Sequence, residues 1–77
     1  CVHAGISPEM SHIDKLELID RNREVPHEGV LCNMLWSDPY EIEHFSYHGA
    51  GAGCYYGAHA VNKFNHINGF DLIARSH

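Results

Sequence analysis

Basic residues are few. Five Lys and Arg stand against ten Asp and Glu, giving a net charge of −5 with His neutral. Nucleic acids and anionic bilayers are held by basic patches, so the chain predicts no nucleic-acid and no membrane partner. No apolar run nears the roughly 20 residues that cross a bilayer, and no stretch has the charged–apolar–small order of a signal peptide. Cysteine is also scarce: Cys1, Cys32 and Cys54 are an odd number at wide spacing, without a Cys-x-x-Cys pair. That pattern argues against a disulfide framework and predicts reduced thiols in a cytoplasmic or nuclear setting. Internal repeats and low-complexity tails are absent.

What is present is enough apolar content (44%) to exclude disorder in 77 residues. A chain this short buries only a thin core. It opens on Cys1 and both ends read as strands, so the expectation is a piece of one larger domain. Histidine is abundant, with eight residues, but most sit singly among polar neighbours. A small His-rich metal-binding module would need closer paired spacing.

The opening Cys1-Val2-His3-Ala4-Gly5-Ile6-Ser7-Pro8 predicts a strand end that hands His3 to a loop, with small residues allowing close approach. Ser11 reads as the N-cap of a helix over about 11–20, with Ile13, Leu16 and Ile19 on one face. Pro26 and Gly29 make 24–30 a loop. Val30 to Trp36 predicts a brief helix, stopped by the turn Ser37-Asp38-Pro39. Residues 40–48 are aromatic and acidic without a period and read as a surface loop. The Gly49–Gly53 run, followed by Cys54-Tyr55-Tyr56-Gly57, reads as a packed loop. It matches neither a dinucleotide fingerprint nor a P-loop. Ala58 to Asn68 predicts a helix with Ala60, Val61, Phe64 and Ile67 inward and Asn68-Gly69 as its stop. Phe70 to Ala74 reads as a strand delivering His77. A histidine at each of two strand ends raises the question of a shared metal.

Six blocks occur in one order: Cys1 to Glu9, Glu24-Val25-Pro26-His27-Glu28-Gly29, Leu35-Trp36-Ser37-Asp38-Pro39, Gly51-Ala52-Gly53, Phe64-Asn65-His66-x-Asn68-Gly69 and Ile73-Ala74-Arg75-Ser76-His77. Together they resemble the metal-dependent serine/threonine phosphoprotein phosphatases, within the type 2A group and its type 4 and type 6 relatives. The resemblance covers nearly the whole chain and implies an internal stretch, 1–77, of one catalytic domain. The implied fold is α+β or α/β, part of a four-layer calcineurin-like metallophosphoesterase β-sandwich flanked by helices. The implied activity is hydrolysis of phosphoserine and phosphothreonine esters by a water that two metals activate. The implied cofactors are two divalent ions, manganese foremost, with iron or zinc as alternatives. Phosphoprotein substrates and regulatory or scaffold subunits are the implied partners.

Residue by residue, the resemblance makes His3 and His77 ligands of the second metal and puts Trp36 and Asp38 beside the substrate pocket. Bare chemistry gives these two a different default, Trp36 as a core or wall anchor and Asp38 as a turn residue. The upstream motifs that supply the remaining ligands and the general acid are not in this sequence, so no catalytic residue is assigned. The other six histidines read as structural or solvated, and Cys1 and Cys54 as small buried hydrophobes. Three departures stand out. Ala4 replaces a glycine, and Ser76 replaces an alanine before His77. Ala50 falls, without a gap, where the family has a phosphate-binding arginine; a gapped alignment puts His48 there. Neither residue offers a guanidinium fork. A degenerate relative acting through protein contacts is therefore the alternative.

Overall fold

The computed structural model describes residues 1–47 and 52–76. The readings placed on His48, Ala50 and His77 lie outside the described residues. The elements run from a 3-10 helix (Ile13–Leu18) through α1 (Val30–Trp36), β1 (Asp38–Pro39), β2 (Phe45–Tyr47) and β3 (Cys54–Tyr56) to α2 (Ala58–Asn68). This is a small α+β arrangement.

The three-stranded sheet has the order β1-β3-β2. β3 lies in the centre, parallel to β1 with Asp38 opposite Tyr55, and antiparallel to β2 with Phe45 opposite Tyr56. Pro39 has no N–H to donate and sits on an edge strand, where that loss is tolerated. The carbonyl of Tyr56 accepts instead from the N–H of Tyr40 at 3.0 Å.

α2 has the predicted span. Ala60 and Phe64 are buried, Val61 packs beside them, and Gly69 ends the helix in the left-handed conformation at φ 70°. Ile6, Met10 and Tyr56 join Ala60 and Phe64 in the core. α1 also has the predicted span, and it buries Cys32 and Asn33. Asn33 donates its side-chain N–H to Glu9 at 3.2 Å.

Several expectations are corrected. The 11–20 helix is a 3-10 helix over Ile13–Leu18 that buries no residue. Ser11 is not its cap: His12 precedes the helix without a side-chain cap. Asn68, 55 residues away, accepts the Ile13 N–H at 2.8 Å and donates to the Ser11 carbonyl at 2.9 Å. The Ser37-Asp38-Pro39 turn is the entry to β1, because Asp38 and Pro39 pair with β3. The 40–48 loop contains β2, and the supposed Gly-loop flank contains β3. The expected strand over 70–74 does not form; just after it Arg75 makes an isolated parallel bridge with Val2. Cys54 is buried as expected but Cys1 is exposed.

Candidate metal and substrate site

The first and last described segments lie side by side. The Val2 N–H donates to the Ala74 carbonyl at 3.0 Å, and the Ser76 N–H donates to the His3 carbonyl at 3.3 Å. His3 is thus joined to the residue that precedes His77. On its other side, the Met34 carbonyl at the end of α1 accepts from the N–H groups of Ala4 (2.9 Å) and Gly5 (3.4 Å). Gly5 is demanded by packing: a Cβ there would run into the Tyr56 ring.

His3, Ala4, Val25, Leu35, Trp36 and Asp38 line a cavity of about 370 Å³, a size typical of small-molecule sites. Three residues singled out from the sequence therefore meet at one opening. Trp36 is 56% exposed, so it is a wall of this cavity and not a core anchor. Asp38 leaves β1 to meet the guanidinium of Arg75, with Nη2 to Oδ1 at 3.0 Å.

Arg75 is the residue that sequence reasoning missed. Besides Asp38, its Nε donates to the Ala4 carbonyl at 2.6 Å. The Tyr56 hydroxyl donates to the same carbonyl at 2.9 Å. One buried oxygen thus ties the His3 loop to the sheet and to the segment leading to His77. The only sequence signal was the place of Arg75 two residues before a candidate ligand. Burial pushes the Tyr56 phenol above its ordinary value, and the charge of Arg75 opposes that rise.

Behind this layer, Ser37 Oγ accepts the Cys54 N–H at 3.1 Å and lies 3.5 Å from its Sγ. Cys54 Sγ also approaches the Ile6 carbonyl at 3.6 Å. Burial raises the thiol pKa, with the Ser37 hydrogen bond opposing and the charge of Glu9 reinforcing. A protonated, enclosed thiol is a poor nucleophile, in keeping with the structural role expected of Cys54.

Imidazole and carboxylate suit a divalent first-row ion. Among the described residues, no group of three or more His, Cys, Asp or Glu comes together in a way that could hold one. The described residues by themselves do not make a metal centre. The same fact weighs against a self-contained His-rich module among them.

The sequence profile of the calcineurin-like phosphoesterases matches residues 1–77. The chain belongs to the calcineurin-like phosphoesterase family. It is 48% identical over all 77 residues to the serine/threonine-protein phosphatase 4 catalytic subunits of Kluyveromyces lactis and Candida glabrata, and 47% identical to that of Saccharomyces cerevisiae. The alignment covers 100% of this chain and 25% of each relative. The chain thus spans a quarter of the length of the curated relatives it matches. As a calcineurin-like phosphoesterase, it is expected to work with divalent metal ions.

Proposed function

We propose that this chain is an internal part of a serine/threonine protein phosphatase catalytic domain. The observation that carries the reading is the pairing of Val2 with Arg75, together with the Ser76–His3 hydrogen bond. It ties the His3 segment to Arg75 and Ser76, the residues just before the second candidate ligand, with His3 lining the same cavity as Trp36 and Asp38. In this reading His3 and His77 hold the second of two metals, and the complete domain is a four-layer β-sandwich. The substrates are phosphoserine and phosphothreonine proteins, met in the cytoplasm or nucleus, with regulatory or scaffold subunits bound elsewhere. The bound metals, manganese foremost, supply an activated water and charge stabilisation for in-line hydrolysis. The chain's own part is to hold the backbone beside His3 in place, through the Arg75 bond to the Ala4 carbonyl, and to wall the phosphoester's approach with Trp36.

The experiment is manganese-dependent hydrolysis of a phosphopeptide by the full-length protein, set against its His3→Ala variant, with bound metal measured on both. Loss of metal and of turnover together supports the assignment. Retention of both would sink it. A second reading, a phosphatase-like protein of weak turnover, rests on Ala50 at the arginine position. It predicts normal metal content with poor hydrolysis.

A further inference from the structure

A second cavity, of about 170 Å³, shares no lining residue with the one beside His3. Ile6, Met10, Phe45, Phe64 and Ile67 give it an apolar floor, and Ser7, His44, His59 and Lys63 supply polar groups. Its volume is close to that of a cavity able to hold a single benzene ring, about 150 Å³.

Three features of the polar side bear on what the cavity could hold. Ser7 is 2% exposed and its hydroxyl has no hydrogen-bond partner; a buried polar group in that state is destabilising until something pairs with it. α2 starts without a side-chain cap on Gly57 and without an acidic residue in its first turn. That end carries the positive pole of the helix and normally attracts an anionic side chain. Instead His59 and Lys63 stand one turn apart on the cavity face. The His59 ring meets the His44 ring edge-on, with centroids 4.4 Å apart and planes at 72°. Imidazole N–H groups, an ammonium and an orphan hydroxyl all favour one negative group. The floor below favours a small apolar body.

We propose that this cavity binds a small amphipathic carboxylate, with its ring or short alkyl body on Phe45 and Phe64 and its carboxylate toward Ser7, His59 and Lys63. Two alternatives fit less well. A bare inorganic anion would leave the apolar floor empty. A neutral apolar molecule would leave Ser7 and Lys63 unanswered.

The test is calorimetric titration of the full-length protein with benzoate, benzyl alcohol and inorganic phosphate, on the wild type and on Lys63→Gln and Ser7→Ala. Benzoate should bind saturably and at least roughly tenfold tighter than benzyl alcohol, the factor that one charge-assisted hydrogen bond supplies. It should also bind tighter than phosphate at this site. Each variant should weaken benzoate roughly tenfold. Ser7→Ala should leave the unliganded protein at least as stable as wild type, because it removes an unpaired buried hydroxyl; this keeps the test clear of misfolding. Equal binding of benzoate and benzyl alcohol would overturn the proposal. So would tighter phosphate binding that both variants weaken, or benzoate binding that neither variant alters, as capture at a metal centre would give.

Discussion

The oxygen shared by Tyr56 and Arg75 makes a quantitative prediction. Tyr56→Phe deletes one neutral donor, but Arg75 Nε still satisfies the Ala4 carbonyl at 2.6 Å. The expected loss is about 0.5–1.5 kcal/mol. Arg75→Met deletes a charged donor to that carbonyl, a loss of about 1.5–3 kcal/mol. It also breaks the pair with Asp38, whose side chain is 47% exposed and remains solvated; a pair this open adds about 0–1 kcal/mol. Neither single change orphans the carbonyl. The double variant does, in a residue only 1% exposed, and an unpaired buried acceptor adds about 1–3 kcal/mol more. The double variant should therefore lose more than the sum of the singles. Urea unfolding of the four proteins, compared by midpoint at constant m, measures this. Additivity within about 0.5 kcal/mol would refute the shared-acceptor account.

Other outcomes follow from the same contacts. Gly5→Ala pushes a methyl into the Tyr56 ring and should destabilise by about 1–3 kcal/mol, read from the thermal midpoint; an unchanged midpoint would refute it. Cys54 and Tyr56 both have raised pKa values in the fold. Their neutral forms are therefore the ones folding favours. Their contribution is complete below the unfolded-state values and is lost as pH rises through the thiol range, from about 8.5, and then the phenol range. Urea midpoints should fall from pH 8 to pH 10, less steeply in Cys54→Ala. Equal slopes would assign the loss to other groups. In a complete domain, Ala50→Arg should raise kcat/KM roughly ten- to a hundred-fold, the equivalent of one charge-assisted phosphate contact; an unchanged or lower value would mean that the ungapped alignment is wrong. The isolated 77-residue chain should not hydrolyse a phosphopeptide with manganese, and zinc titration should not fold it stoichiometrically. Hydrolysis would overturn the predicted inactivity of the isolated stretch, and stoichiometric zinc-driven folding would revive the self-contained metal module.

α2 was legible to the residue because its signals agree. The inward stripe, the Asn68-Gly69 stop and the length all point to one helix, although Ile67, expected inward, is 39% exposed. The first helix was misjudged because Ser11 and the spacing of Ile13, Leu16 and Ile19 are local cues. The structure satisfies that segment from afar, through Asn68, and leaves Leu18 87% exposed. β2 and β3 are three residues each. Runs that short carry no alternation to detect, and only their mutual register makes them strands. At the candidate site, the motif blocks singled out His3, Trp36 and Asp38, which the fold brings to one cavity. Arg75 escaped notice because its work is done across 71 residues, on a backbone oxygen that no sequence pattern marks.

That separation has a consequence for assembly. Closing a longer loop adds little to the entropy of folding, about 0.6 kcal/mol for each doubling. It does delay the contact, since distant pairings form after local ones. During synthesis the amino-terminal part appears first, so His3 is made before Arg75 and Ser76 exist. α1, β3 and α2 can all be in place while the His3 edge is still open. Slow or truncated synthesis would thus remove this corner selectively and spare the core. The Val2 amide, bonded to Ala74, is its natural reporter. Its hydrogen-exchange protection marks the moment the two ends meet, without reference to metal or turnover.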